Sequence, residues 1–218
     1  MSHRIEWPMT RLRWRGVSGL MAAALLVGTA AGCGLPADGS SLGELRGTVM
    51  EVPIEKPDLV LTDTNGDPFD LRAETAGYLT LVFFGYTYCP DVCPVHMATL
   101  GGAFRDLAPE VRDAMKVIFI STDPERDTPE RLTEWLGSFD DSFIGLRAPI
   151  DEINEALAWM KLPGVAVVPA EHGSEPIIGH PSAVLAYGPD GLAHVRYQFG
   201  TRRADWTHDL PLLLGDRP

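Results

Sequence analysis

Residues 79–94 have the sequence LTLVFFGYTYCPDVCP. The run from Leu79 to Phe84 is apolar apart from one threonine, and a short run of this kind, rich in aromatic residues, predicts a buried strand. Cys89 and Cys93 follow shortly afterwards, where the strand should end and a helix should begin. Thiols at the start of a helix are stabilised as thiolates, which suits them to soft-metal binding or to redox exchange.

The elements around this stretch predict an α/β fold. Residues 59–63 and 68–71 flank an Asn65-Gly66 step, which is typical of a β-hairpin. Asp123 and Asp127 are expected to cap a turn and the helix that follows it. The other predicted elements are a helix over 92–107, a strand over 115–120, helices over 127–139 and 149–160, strands over 165–168, 182–187 and 192–199, and a helix over 203–214. This order favours a thioredoxin-like fold, with a mixed sheet flanked by helices.

The N-terminus has the features of an export signal. Four arginines precede an apolar stretch over residues 17–27, which is shorter than the roughly 20 residues that a membrane span needs. Small residues follow this stretch and end in Ala-Ala-Gly-Cys33, which is similar to the bacterial lipoprotein box, so we expect Cys33 to be lipidated. An ordinary secretory signal with a coincidental cysteine is the alternative. The predicted organisation is a lipoprotein signal peptide over 1–32, a flexible tether over 33–45 and one domain over 46–218.

The charge of the chain argues against nucleic acid as a partner. The sequence has 18 Lys and Arg against 30 Asp and Glu, a net charge of −12. Because four of the basic residues and one of the acidic residues lie in the signal, residues 33–218 alone would carry −15. Such a surface repels nucleic acid and anionic lipid headgroups. Membrane attachment is therefore expected to come from the lipid at Cys33, on the extracytoplasmic face of the cell membrane.

With Cys33 assigned to the anchor, Cys89 and Cys93 remain as the reactive pair. If the helix begins near Pro90 or Asp91, their spacing places both sulfurs on one side of its first turn. Two thiolates favour Cu(I) and can also bind zinc, and an added imidazole holds either oxidation state of copper. A disulfide between the two cysteines is the other possibility in an exported protein.

Several histidines could supply the imidazole. His172 and His180 lie in or beside the loop before the strand predicted over 182–187, and in a thioredoxin-like sheet this loop faces the cysteine pair. His96 is close along the chain, but the pattern does not tell where its side chain points. The remaining histidines are His3, which would leave with the signal, His194 and His208.

Four segments, in order, resemble landmarks of the Sco/SenC family of copper-binding proteins. They are FGYTYCPDVCP over residues 84–94, STDPERDTPE over 121–130, FIGL over 143–146, and the segment from His180 to Gly191. The similarity covers roughly residues 46–216. A lone Cys-x-x-x-Cys motif would be a weak signal, whereas four landmarks in the right order are specific.

The resemblance implies a copper ion bound by Cys89, Cys93 and His180. The chain departs from the family pattern on both sides of this histidine. Gly179 stands where the family usually has Asp, and Pro181, directly after His180, is the second departure. A carboxylate there would help to orient the imidazole, so its replacement is expected to loosen the site. Thioredoxin-like folds often have a cis-proline at about this position, so we also predict a cis bond between His180 and Pro181.

The function that the resemblance implies is that of a copper metallochaperone, not an enzyme. The expected recipient is the subunit of cytochrome c oxidase that carries the CuA centre, and a copper donor or a thiol reductant protein is a further expected partner. The alternative is a thiol–disulfide oxidoreductase that reduces the cysteines of the oxidase copper site, although the usual redox motif has two residues between its cysteines and this chain has three. A thiol peroxidase is disfavoured because no threonine and arginine activation pattern surrounds Cys89.

Overall fold

The computed structural model describes residues 44–169 and 176–215. The predicted signal peptide, Cys33, most of the predicted tether and His172 lie outside these residues. Within them, no helix combines the length and the apolar character that a membrane crossing needs.

The described residues form a mixed sheet of eight strands with helices packed on both faces. From edge to edge the strand order is β1-β10-β9-β4-β5-β6-β2-β3, and β7 and β8 form a separate antiparallel pair. The strands are β1 Thr48–Glu55, β2 Val60–Asp63, β3 Pro68–Asp70, β4 Leu79–Gly85, β5 Met115–Ser121, β6 Ile144–Arg147, β7 Ala166–Val168, β8 Ile177–Gly179, β9 Val184–Tyr187 and β10 Leu192–Tyr197. The helices are α1 Leu71–Glu74, α2 Val92–Asp106, α3 Pro109–Asp113, α4 Pro129–Gly137, α5 Ile150–Trp159 and α6 Arg203–Leu214. The α/β thioredoxin-like prediction is confirmed.

Strand β4 is the centre of the sheet. It pairs in parallel with β5 and antiparallel with β9, and all seven of its residues are buried. A strand covered on both faces needs apolar side chains at consecutive positions, which explains the unbroken run seen in the sequence. Leu81 and Phe83 pack in one core with α2, α4 and α6, whereas Val82 and Phe84 pack in a second core with α5.

The hairpin, β4, β5, β9, β10 and four long helices lie close to where the sequence predicts them. Helix α2 begins at Val92, where the helix predicted over 92–107 begins. One boundary differs at α4, whose N-cap is Thr128, so Asp127 does not cap that helix as predicted.

The sequence analysis missed β1, β6, β8 and the short helices α1 and α3. Strand β1 has a register irregularity between Val49 and Ile54 and no alternating burial, so it lacks a periodic signal. Strand β6 has a glycine at its centre, and a Cβ on Gly145 would lie 2.9 Å from Leu136 Cδ1. The glycine lets α4 pack closely on β6, but it weakens the strand signal in the sequence.

A buried carboxylate joins the first strand to the last helix. Asp209 is fully buried in α6, and its Oδ2 accepts hydrogen bonds from the backbone N–H groups of Arg46 and Gly47, both at 2.9 Å. The hydroxyl of Tyr197 in β10 donates to the same oxygen at 3.0 Å. These contacts fix the start of β1 against α6 on the face of the sheet that carries α2.

The central position of β4 can be tested with two valine substitutions. Val82→Ala removes two methyl groups from a side chain with no exposed surface, and we expect it to lower the free energy of unfolding by about 2 kcal/mol. Val52→Ala, at a position in β1 that is 78% exposed, should change it by less than about 0.5 kcal/mol. Urea unfolding of the purified domain measures both. Equal effects of the two substitutions would contradict the assignment of β4 as the buried centre.

Candidate metal centre

The candidate site is built at the junction of β4 and α2. Gly85 ends β4, and a Cβ added there would lie 2.7 Å from Cys93 Sγ, so a larger residue would displace the sulfur. The chain then turns, with the N–H of Cys89 donating to the carbonyl of Tyr86 at 3.2 Å. Cys89 therefore lies in the turn, before α2, and Cys93 lies in the first turn of the helix.

The two cysteines are free thiols in different surroundings. Cys89 is half-buried and Cys93 is fully buried. The backbone N–H of Cys93 donates to the sulfur of Cys89 at 3.4 Å, so the first turn of α2 stabilises charge on Cys89. A reversible disulfide between the two cysteines stays a prediction.

The pKa values of the two thiols move in opposite directions. A hydrogen bond from the Cys93 thiol is the largest influence on Cys89 and lowers the pKa of Cys89, to about 3. Burial and the neighbouring Cys89 raise the pKa of Cys93 far above its usual range. The pair therefore consists of a partly exposed thiolate and a buried thiol that donates to it.

His180 lies directly after β8 and points at the cysteines. Its Nε2 is 3.3 Å from Cys93 Sγ, and the ligand atoms of Cys89, Cys93 and His180 all lie within 4.8 Å of one another. The imidazole stands edge-on to the rings of Tyr86 and Phe83, with centroids 5.6 and 6.0 Å away. Two sulfurs and one imidazole nitrogen at this separation suit a soft or borderline metal ion.

A backbone carbonyl orients the imidazole. His180 Nδ1 is 3.0 Å from the carbonyl oxygen of Pro181, so Nδ1 carries the proton and donates it, and Nε2 is left free to act as a ligand. The described residues contain no cis peptide bond, so the bond between His180 and Pro181 is trans and the predicted cis bond is wrong.

The other histidines of the described part of the chain lie outside this group. His96 is buried in α2 and contacts the carbonyl of Ser182 through Nε2. His194 contacts Asp190, and His208 contacts Asp209, both at 2.7 Å. Within the described residues, Cys89, Cys93 and His180 form the only group of three or more His, Cys, Asp or Glu side chains whose ligand atoms lie close enough to share a metal ion.

Asp127 holds the turn that carries the cysteines, a role that the sequence analysis missed. Its fully buried carboxylate accepts from the N–H of Thr87 at 3.1 Å, from the Thr87 hydroxyl at 2.7 Å and from the Ser121 hydroxyl at 2.6 Å. Burial raises the pKa of Asp127. Arg131 Nε donates to the Thr87 hydroxyl oxygen at 3.1 Å. Asp127 thereby joins Ser121, at the end of β5, to Thr87, which lies just before Cys89 and 40 positions away from Asp127 along the chain.

Comparisons with known proteins show which proteins this chain is similar to. The family model described as SCO1/SenC matches residues 51–214. The protein SenC of Rhodobacter capsulatus is 40% identical over 101 residues, which cover 42% of this chain and 45% of SenC, so this match spans less than half of that relative. The structure of Bradyrhizobium japonicum ScoI with copper bound is 32% identical, with a TM-score of 0.65, and the match covers 74% of this chain and 99% of that chain. The solution structure of apo Sco1 from Thermus thermophilus is 28% identical, with a TM-score of 0.69, and the match covers 78% and 97%.

The asymmetry of the thiols predicts the pH dependence of alkylation. Because the pKa of Cys89 is about 3, this cysteine should be almost fully ionised from pH 5 to 7, and its rate with iodoacetamide should stay flat over that range. In urea-unfolded protein the thiolate fraction, and hence the rate, should rise about tenfold per pH unit. Cys93→Ala removes the main hydrogen bond to Cys89, so it should raise the pKa of Cys89 and restore the slope. Mass spectrometry measures the alkylation rate of each cysteine. A tenfold rise per pH unit in the rate at Cys89 of the folded wild type would contradict the assignment of Cys89 as a thiolate.

Proposed function

The chain belongs to the SCO1/SenC family, and on this premise we propose that it is an extracytoplasmic copper metallochaperone. Cys89, Cys93 and His180 are the proposed copper ligands, and the CuA centre of cytochrome c oxidase is the proposed destination. The observation that carries the proposal is the convergence of two sulfurs and one imidazole nitrogen within 4.8 Å, in a fold shared with a copper-bound relative. Copper is the cargo here, and no catalytic turnover is required.

The geometry suits a site that accepts an ion and later releases it. Thiolate ligands favour Cu(I), and the imidazole is compatible with both oxidation states. Cys93 is a buried thiol in the metal-free protein, so binding through its sulfur releases a proton, and the affinity should rise with pH. Cys89 and His180 are both partly exposed, so the thiolates of a recipient would replace these two ligands first.

The oxidation state of the cysteines controls loading in this proposal. An oxidised Cys89–Cys93 pair cannot offer thiolates, so a reductant must act before copper binds. A thiol reductant protein and a copper donor are therefore proposed partners, beside the CuA-bearing subunit.

A thiol–disulfide oxidoreductase is the second candidate. The observation that favours it is the partly exposed Cys89 thiolate next to a buried thiol that could resolve a mixed disulfide. His180 is the residue that separates the two functions. A chaperone needs it as a ligand, whereas thiol exchange can proceed without it.

The anchor completes the proposal. Residues 1–32 are the proposed lipoprotein signal, Cys33 carries the lipid, residues 33–45 form the tether, and residues 46–218 form the copper-binding domain at the extracytoplasmic face of the membrane.

Copper titration of the reduced soluble domain tests the ligand set. Wild type should bind one copper per chain and show thiolate-to-Cu(II) charge-transfer bands. His180→Ala should weaken binding by at least about tenfold and alter the bands, because a ligand is lost. His194→Ala is a matched control, since this imidazole pairs with Asp190 outside the site and its loss should change neither quantity. Metal analysis and absorption spectroscopy provide the readouts.

Two other results would count against the chaperone. If wild type holds no stable copper and its Cys89–Cys93 disulfide cycles readily, the oxidoreductase becomes the better assignment. If Cys89→Ser or Cys93→Ser retains full copper stoichiometry, the site lies elsewhere.

Fractionation of cells that express the full chain tests the anchor. Cys33→Ser removes the proposed lipid attachment point, so the protein should move from the membrane fraction to the soluble fraction. Ser40→Ala, in the proposed tether, serves as the control and should stay with the membranes. Unchanged membrane retention of the Cys33→Ser protein would refute lipid anchoring at this cysteine.

A further inference from the structure

His96 is a buried residue close to the proposed copper ligands. It lies in α2, three residues after Cys93, and only 3% of its surface is exposed. Aromatic rings surround it, with centroids 5.1 Å away at Phe83, 6.0 Å at Phe199 and 6.4 Å at Trp206. A polar ring in such surroundings needs a hydrogen-bond partner.

The partner of His96 is a backbone carbonyl in the segment that carries His180. Nε2 of His96 lies 3.1 Å from the carbonyl oxygen of Ser182, and because a carbonyl only accepts, Nε2 carries the hydrogen. Burial is the main cause that lowers the pKa of His96, to about 4. The ring is therefore neutral near pH 7, which limits the cost of burying it in an aromatic cage.

The segment from His180 to Ala183 belongs to neither β8 nor β9, so ladder pairing of those strands does not define its position. Two successive carbonyls of this segment make the contacts that matter. The carbonyl of Pro181 accepts from His180 Nδ1, and the carbonyl of Ser182 accepts from His96. The Pro181 carbonyl, which orients His180, is thus one residue away from the Ser182 carbonyl, which His96 binds to α2.

Helix α2 carries both Cys93 and His96, so it positions Cys93 directly and contacts the segment of His180 through His96. The ring of Phe83 contacts both histidines, because the rings of His96 and His180 each stand edge-on to it. Gly179 has no side chain that could orient the imidazole instead.

We propose that His96 is a positioning residue for the metal centre: its hydrogen bond to the Ser182 carbonyl fixes the His180 segment to α2 and so sets His180 Nε2 against Cys93 Sγ. This inference rests on the proposed function only for its effect on copper. The effect on the His180 segment exists in the metal-free protein as well.

Two substitutions of His96 separate its hydrogen bond from its bulk. His96→Leu fills the space without a donor, whereas His96→Gln keeps an N–H donor on a side chain of similar reach. Phe104→Leu is the control, because Phe104 is also buried in α2 but contacts Phe143 rather than the His180 segment. It should lower the overall stability without changing the site.

Hydrogen exchange of the metal-free, reduced domain gives the first readout. In His96→Leu, amides of the peptide covering residues 177–187 should exchange roughly three to ten times faster, because one hydrogen bond that holds the segment is lost. His96→Gln and Phe104→Leu should leave the exchange of this peptide close to that of wild type.

Copper binding gives the second readout. His96→Leu should bind Cu(II) roughly 10- to 100-fold more weakly and shift the thiolate charge-transfer band towards that of His180→Ala, and His96→Gln should restore both. Unchanged exchange and affinity in His96→Leu, no rescue by His96→Gln, or equal losses in Phe104→Leu would each overturn the inference. If wild type binds no copper at all, the proposed function fails, and the exchange measurement still decides the role of His96.

Discussion

The approach of the Cys93 sulfur to the backbone of Gly85 is the constraint on which the rest of the site depends. Strand β4 is covered on both faces, and its last residue has to be a glycine because a Cβ would lie 2.7 Å from the sulfur. The first turn of α2 can then sit directly over the end of the strand. This placement buries Cys93, directs its N–H at Cys89 Sγ and leaves Cys89 in the turn with part of its surface open to solvent.

That placement makes the two thiols unequal. Charge is stable on Cys89, where the helix N–H and the Cys93 thiol both donate, and it is costly on Cys93, which is buried. In the metal-free protein the pair of cysteines therefore carries one negative charge, which lies on Cys89. A bound cation would favour loss of the second proton, so metal binding and proton release are coupled at Cys93. The partly exposed thiolate is also the group that another thiol or a metal donor can reach first.

The sequence predicted the parts of this arrangement that depend on local pattern. The apolar run of β4, the periodic helix after it and the hairpin at Asn65-Gly66 are all encoded in consecutive residues, and the spacing of the family landmarks points to His180. The role of Asp127 could not be predicted in this way, because its partner Thr87 lies 40 positions away and meets it only when β4 and β5 lie side by side. The contact from His96 to Ser182 spans 86 positions and has no local pattern either. Strands β1 and β6 were missed because one is irregular and the other has a glycine where α4 needs room.

The departure at Gly179 has a structural context that the sequence does not reveal. Gly179 pairs with Ala166 in the β7–β8 ladder, and a Cβ there would lie 3.3 Å from the Ala166 carbonyl oxygen, so a larger residue is tightly accommodated. The carbonyl of Pro181 orients His180 in place of a carboxylate. A neutral acceptor fixes the tautomer but donates less charge to the ring than a carboxylate would, so the imidazole should be a weaker ligand. The Pro181 carbonyl is also part of the backbone, so the orientation of His180 depends on how firmly the segment from His180 to Ala183 is held. The hydrogen bond from His96, which attaches this segment to α2, is therefore more important in this chain than in one with a carboxylate at position 179.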